Sequence, residues 1–163
     1  MARSAVRGFG VPHVSSVPEL MDLLHACRGG RGLRTAALLR RAHPADKELQ
    51  IAGLVLDLGE LLRPGDAASP CDHYVAEAVR PLLGERVAGL IRLQARAGEG
   101  SGLVALAAAG PDGEAAAALR QTHDGADAAG PEAGVLEDWQ PVLELVSAGA
   151  YRAVAGQPFL PRT

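Results

Sequence analysis

Three side chains in the middle of the chain have the types needed for proton-transfer chemistry. Asp57 and Glu60 supply carboxylates from the apolar run 49–62, and His73 supplies an imidazole near the start of the next predicted helix. Three titratable groups that converge in one helical pocket suffice for hydration, elimination or isomerisation by acid and base steps, without redox chemistry. We therefore predict Asp57, Glu60 and His73 as the candidate catalytic residues.

Each of these residues also has a purely structural interpretation. Asp57 is most simply a buried or half-buried carboxylate that caps or hydrogen-bonds a neighbouring helix. Glu60 is compatible with a solvated residue at a helix end, and His73 with an ordinary residue at a helix start. Both interpretations of each residue remain open at the level of sequence.

The elements that must position these residues are predicted to be helices. Ser16, Pro18 and Glu19 form a capping signature for the first helix, and Asp46 caps the helix that holds Asp57. Gly110–Gly113 separates two alanine-rich helices, and the Gly-rich stretch 123–134 is predicted as a loop. The other predicted helices run from about Leu33 to Pro44, from about Asp72 with an interruption at Pro81, from about Gly84 to Ala97, and from about Leu136.

Composition favours one helical domain. The chain has 163 residues, of which 48% are hydrophobic but only 3% aromatic, so its core must be built from Leu, Val and Ala. Such a core favours helices, and no stretch shows the alternation typical of a strand. We predict a compact all-α bundle over residues 16–155, with a flexible arm at 1–15 and a tail at 156–163.

Charge and cysteine content narrow the partners and the compartment. The formal charge is −3 and the chain has no basic run, which argues against nucleic acid and anionic membranes as partners. Cys27 and Cys71 are too few for a disulfide framework and are expected to be reduced, structural thiols. No stretch has the length of a signal peptide or a membrane span, so we expect a cytoplasmic protein.

Four motifs carry a resemblance to a known family. The run 55–60 resembles the motif Leu-Leu-His-Asp-Ile-Gly-His, and His73 occupies the helix start at which that family has a ligand histidine. Residues 82–87, Leu-Leu-Gly-Glu-Arg-Val, match a family phrase, residues 90–94 resemble Val-Arg-Leu-His, and residues 136–143 are similar to a closing helix. The chain thus resembles the small HD-domain proteins, which include HD phosphohydrolases and relatives of the mixed-valence di-iron oxygenases. Those relatives are the 2-amino-1-hydroxyethylphosphonate dioxygenases and, more distantly, myo-inositol oxygenase.

The resemblance implies a helical bundle around one or two metals, with most of the ligands lost in this chain. The residues at expected ligand histidines are Arg31, Leu56 and Gln94, and Glu60 replaces an accessory histidine. Leucine cannot donate a lone pair to a metal, and two irons need about five or six protein ligands. The metal positions that keep a ligand are Asp57, His73 and one of Asp124 or Asp127.

No metal centre or cofactor is therefore expected, although Asp57, His73 and Asp127 leave a weak possibility of one divalent metal. The resemblance implies a vacated pocket whose lining includes Arg31, Leu56, Gln94, Asp124 and Asp127. Arg31 should attract Asp57 or Glu60, so that an internal salt bridge replaces the metal. An exposed Arg31 after Gly29 and Gly30, and an ordinary exposed pair at His123 and Asp124, are the competing interpretations.

Two functions from different classes are compatible with these residues. The first is a degenerate HD-domain protein that binds a small molecule or serves as an interaction module. The second is a repurposed non-redox enzyme, a hydrolase, lyase or isomerase, that uses Asp57, Glu60 and His73 in phosphonate, nucleotide or specialised metabolism. The residues leave the identity of the small molecule and the oligomeric state open.

Overall fold

The computed structural model describes residues 12–27, 30–63, 71–129 and 133–156, with the side chains of 127–129 excepted. Regular structure in these ranges is helical throughout, as predicted, and none of these helices combines the length and apolar character needed to cross a membrane. The helices are α1 Val17–Ala26, α2 Arg31–Ala42, α3 Lys47–Val55, α4 Gly59–Leu62, α5 Cys71–Leu83, α6 Glu85–Arg96, α7 Gly102–Ala108, α8 Pro111–Ala129 and α9 Gln140–Ala155. Two short 3-10 turns, Leu56–Leu58 and Leu136–Trp139, precede α4 and α9.

Helix α3 lies at the centre of the bundle. Residues 49–55 of this helix are all buried, and the helix contacts α2, α6, α8 and α9. The core around it consists mainly of Leu, Val, Ile and Ala, as the composition predicts. Trp139 is the largest fully buried side chain, and the Arg40 guanidinium lies 3.9 Å from the centroid of its ring. This contact fastens the closing segment to α2.

Side-chain caps fix where the first helix begins. The Ser16 hydroxyl accepts a hydrogen bond from the Glu19 N–H at 3.3 Å, and the Glu19 carboxylate accepts from the Ser15 N–H at 2.8 Å. This reciprocal arrangement is the predicted capping box, except that the Glu19 side chain accepts from the N–H of Ser15 instead of that of the N-cap residue Ser16. Just before it, Val14 is buried and its N–H donates to the carbonyl of Ala78. Packing thus begins inside the stretch predicted as an arm, whereas residues 1–11 and 157–163 lie outside the described residues.

Asp46 joins three helices at the end of the bundle opposite the candidate residues. Its carboxylate caps α3 by accepting from the Leu49 N–H at 3.1 Å, as predicted. The same carboxylate accepts two hydrogen bonds from the Arg86 guanidinium, at 2.7 and 2.8 Å. Arg86 also donates to Asp112 at 3.1 Å, which brings in the start of α8. This bidentate contact fixes α3, α6 and α8 relative to one another.

Three sequence predictions about the helices were wrong. The stretch 123–134 was predicted as a loop, but α8 continues to Ala129 because Leu119 and Ala126 bury one of its faces. Pro81 does not end α5, since it lies in the last turn and the helix stops two residues later at Leu83. The predicted single helix through Asp57 is instead divided by the 3-10 turn Leu56–Leu58. The first and third differences reshape the candidate site.

The extension of α8 can be tested at Gly125. This glycine lies in the helix with open space where a Cβ would be added. Gly125→Ala should therefore raise the free energy of unfolding by about 0.5–1 kcal/mol, measured by urea denaturation. Gly110→Ala is the matched control, because Gly110 also has open space but a φ of 61°, and it should destabilise the protein. Loss of stability in Gly125→Ala would contradict a helical segment there.

Candidate functional site

A cleft opens where α1 ends, α2 begins and α8 passes the 3-10 turn that holds Asp57. Its volume is about 680 Å³, and α4 and the start of α5 close its other side. The polar residues that line it are Arg31, Asp57, Glu60, Cys71, Asp72 and His123. Two of the predicted catalytic residues, Asp57 and Glu60, and two predicted pocket residues, Arg31 and Leu56, therefore share one cavity.

The Asp57 carboxylate caps the N-terminus of α2. Helix α2 begins after Gly30, which has a φ of 64° and no side chain with which to cap the helix. Asp57 Oδ2 instead accepts a hydrogen bond from the Gly32 N–H at 2.6 Å. This bond satisfies one of the backbone donors that every helix start leaves open, and the positive end of the helix dipole favours the carboxylate. The structural role considered for Asp57 is thus present in the fold.

The second oxygen of Asp57 faces α8. His123 Nε2 lies 3.5 Å from Asp57 Oδ1, so the two form an ion pair when the imidazole is protonated. This nitrogen is shielded from solvent, yet it lacks the alignment of a hydrogen bond. Arg31 strengthens the junction, because its Nε donates to the His123 carbonyl at 2.9 Å. Arg31 therefore ties α2 to α8 beside Asp57.

These contacts keep Asp57 ionised. Burial by itself raises the pKa of this carboxyl, since only 19% of its side chain is exposed. The His123 imidazole, the Gly32 N–H and the charge of Arg31 act in the opposite direction and outweigh burial. The pKa of Asp57 consequently lies below its ordinary value, and the group is a carboxylate at neutral pH.

Glu60 and Cys71 face each other across the junction of α4 and α5. The Cys71 thiol donates to Glu60 Oε1 at 3.7 Å, and Arg63 Nη1 donates to Cys71 Sγ at 3.8 Å. Gly59 permits this close approach, because a Cβ at that position would lie 2.7 Å from the Cβ of Cys71. Glu60 itself is exposed at the cleft. It is the carboxylate of this site most accessible to a ligand.

Cys27 forms part of the cleft wall as an inert thiol. Its Sγ donates to the backbone carbonyl of Asp57 at 3.6 Å. Burial and, secondarily, the negative charge of Asp57 raise the pKa of this thiol. A raised pKa keeps it protonated at neutral pH, and a protonated thiol is a poor nucleophile. Both Cys27 and Cys71 are free cysteines, in agreement with the expectation of unpaired thiols.

Gln94 reaches the cleft indirectly. Its side chain is 4% exposed, and its Nε2 donates to Asp72 Oδ2 at 2.8 Å. Arg120 in turn donates to the Gln94 carbonyl at 3.1 Å. Asp72, which no sequence argument selected, is the cleft residue that this buried amide orients. Gln94 itself is not one of the described residues that line the cleft.

Two other predicted site residues, His73 and Asp124, are absent from the lining of this cleft. His73 is exposed on α5, where its ring contacts Tyr74 at a centroid distance of 5.8 Å. Asp124 is exposed on α8, with its carboxylate 3.7 Å from Arg120 Nε. The side chain of Asp127 lies outside the described part of the structure. His73 was predicted to converge with Asp57 and Glu60, but it does not line the cleft that these two residues share.

The described residues do not fit the metal centre that the sequence resemblance implies. Within 12–27, 30–63, 71–129 and 133–156, no cluster of three or more His, Cys, Asp or Glu side chains could hold a metal ion. Gln94 presents its amide nitrogen to Asp72, and Leu56 is a buried aliphatic side chain. Oδ2 of Asp57 accepts from the Gly32 N–H, and Oδ1 lies 3.5 Å from His123 Nε2 rather than beside a second potential ligand carboxylate. We therefore assign no chemical step to a metal.

Helical spacing contains signals for the two cleft residues that sequence reasoning missed. Asp72 precedes the buried Val75 and Ala76 by three and four residues, so it lies on the inner face of α5, unlike His73. His123 follows Leu119 by four residues on the inner face of α8. That second signal was lost because residues 123–134 were predicted as a loop.

The cap on α2 depends on the absence of a side chain at Gly32. A Cβ at Gly32 would lie 2.5 Å from the carbonyl oxygen of Leu54 and 3.3 Å from Asp57 Oδ2. Gly32→Ala should therefore lower the free energy of unfolding by about 1–3 kcal/mol, measured by urea denaturation. Gly89→Ala is the control, because a Cβ there meets open space in α6. Equal stability of the two variants would show that α2 does not approach Asp57 this closely.

The lowered pKa of Asp57 predicts a pH-dependent contribution to stability. A carboxyl whose pKa is depressed on folding stabilises the protein above its unfolded pKa, and the contribution is lost as pH falls through the folded pKa. Asp57→Asn should therefore lower the free energy of unfolding by about 1–3 kcal/mol at pH 7. The difference from wild type should shrink below about pH 4. Asp22→Asn, at an exposed position in α1, should show almost no difference at either pH, and a pH-independent defect in Asp57→Asn would contradict this assignment.

Comparison with known proteins adds no relative to this description. No family model, curated protein or solved structure matches the chain. What the cleft can do is therefore inferred from its own residues and their geometry.

Proposed function

We propose that this protein is a small-molecule-binding module that works without a metal, built on a degenerate HD-domain bundle. One observation carries the proposal: the Asp57 carboxylate is satisfied by protein groups while it lines an open cleft. Gly32 N–H contacts one carboxylate oxygen at 2.6 Å, and His123 Nε2 lies 3.5 Å from the other. In an intact HD domain, as the sequence resemblance implies, this aspartate would bind metal.

The dimensions of the cleft support a small organic ligand. Its volume of about 680 Å³ falls within the range of about 300–1,000 Å³ typical of ligand pockets. Its wall combines apolar side chains, such as Leu56 and Leu61, with convergent polar groups. Asp72 is held in place by the buried Gln94, so part of the polar surface is preorganised.

A second candidate function is acid or base catalysis, and the Asp57–His123 pair is the observation that favours it. A carboxylate beside an imidazole stabilises the protonated form of the ring, which favours its use as a general base. His123 lines the cleft together with Glu60, so a proton acceptor and a carboxylate face the same space. This version of the enzyme hypothesis replaces His73 by His123. Binding remains the better-supported function, because it needs only the cavity.

A substitution at Leu56 tests whether a metal has a role in this protein. This side chain is 5% exposed and occupies the position of a ligand histidine in the HD resemblance. Leu56→His should lower the free energy of unfolding by about 1–3 kcal/mol, because it buries an imidazole without a partner. Thermal melting should show no rescue by Mn(II) or Fe(II). A variant at least as stable as wild type, and strongly stabilised by metal, would indicate a metal centre.

Binding in the cleft can be tested with a library of small polar fragments and ¹H–¹⁵N NMR spectra of the protein. The changes in chemical shift on addition of a fragment should concentrate at cleft residues such as Asp57, Glu60 and His123. Ala26→Trp should abolish them, because Ala26 is exposed at the cleft and the indole would fill it. Ala108→Trp, at an exposed site on α7, is the matched control and should leave them unchanged. Fragments that bind both variants equally, or shifts away from the cleft, would contradict the proposal.

A further inference from the structure

A second, smaller cavity adjoins the cleft at Asp57. It has a volume of about 180 Å³, and Cys27 and Asp57 line both cavities. The two spaces therefore share part of their walls.

The smaller cavity is suited to an apolar group. Four leucines from four elements line it: Leu24, Leu33, Leu54 and Leu136. The side chains with polar atoms that line it are those of Asp57, Cys27 and His25. His25 lies on the exposed face of α1 and contacts Glu137 at 3.3 Å. An apolar cavity of about 150 Å³ accommodates a benzene ring. The volume found here therefore fits one ring or a short branched alkyl group.

The larger cleft offers mainly hydrogen-bond acceptors to a ligand. Asp57, Glu60 and Asp72 contribute carboxylates to its wall. Its strongest donor, Arg31, is directed at the backbone of α8, where it contacts the carbonyls of His123 and Asp124. Gln94, the buried donor nearest to Asp72, is likewise occupied by that carboxylate. A ligand group that donates hydrogen bonds therefore finds three carboxylates in the cleft wall, and a positive charge improves the match.

We infer that the ligand is a small primary amine with one apolar ring or branched alkyl substituent. Its ammonium group lies in the larger cleft near Asp57 and Glu60, and its apolar substituent fills the leucine-lined cavity. This inference rests on the proposed binding function and assigns a chemical class to its ligand. It rests on the wall residues that the two cavities share, Cys27 and Asp57, together with the acceptor-rich wall of the larger one.

The test compares three probes of related shape by isothermal titration calorimetry. Benzylamine has both required groups, benzyl alcohol lacks the charge, and methylamine lacks the ring. Benzylamine should bind with a Kd of about 1 mM or lower, as expected for a well-placed fragment. Each of the other two probes should bind at least about tenfold more weakly. Benzyl alcohol that binds as tightly as benzylamine overturns the assignment of an amine, and so does the failure of benzylamine to bind.

Variants at each end of the site separate the two halves of the inference. Leu136→Phe narrows the leucine-lined cavity and should weaken benzylamine at least about fivefold without affecting methylamine. Glu60→Gln should weaken benzylamine about three- to tenfold but leave benzyl alcohol unchanged. The matched controls are Leu103→Phe and Glu99→Gln, both at exposed positions outside the cavities. Equal affinities across all four variants overturn the inference.

The ligand class and the binding function can fail separately. If polar fragments without an amine bind at the cleft and Ala26→Trp abolishes their binding, while benzylamine does not bind, the function stands and the amine assignment is wrong. If no fragment binds at the cleft, both are wrong.

Discussion

The carboxylate of Asp57 is the point on which this end of the bundle depends. One of its oxygens accepts a hydrogen bond from the Gly32 N–H at the N-terminus of α2, and the other lies 3.5 Å from His123 Nε2 of α8. The 3-10 turn Leu56–Leu58 holds it between them. Without that carboxylate, the start of α2 would lack its cap, since Gly30 provides none. The position of the cleft wall therefore follows from one half-buried charge.

Burying a charge costs free energy unless the surroundings compensate for it. Compensation for Asp57 comes from a helix N-terminus, a neighbouring imidazole and the nearby charge of Arg31, which together lower its pKa. A metal would provide the same compensation with a larger charge, but it would need additional ligands that Leu56 and Gln94 do not provide. Compensation by protein groups also leaves Glu60 exposed at the same cleft. Stability and binding capacity can thus be carried by different carboxylates of one site.

The fold was predictable wherever local signals dominate. Ser16 and Asp46 cap their helices as expected, and Trp139, Leu143 and Val146 bury the closing segment. The continuation of α8 was not predictable from propensity, because Gly125 and its polar neighbours favour a loop, and only packing against the core overrides that preference. Asp57 and Glu60 line one cavity, whereas His73 and Gln94, which were predicted to share it, are absent from its lining. His123, which lies beside Asp57, was missed because residues 123–134 were predicted as a loop. Asp72 was missed although its spacing from Val75 and Ala76 places it on the inner face of α5.

The most direct measurement of the central claim is a double-mutant cycle between Asp57 and His123. Free energies of unfolding would be determined by urea denaturation in EDTA for wild type, Asp57→Asn, His123→Gln and the double variant. If the imidazole takes the place of a metal beside this carboxylate, the two substitutions should be coupled by about 0.5–3 kcal/mol. Additive effects in EDTA, with coupling that emerges only when Mn(II) is present, would contradict the account.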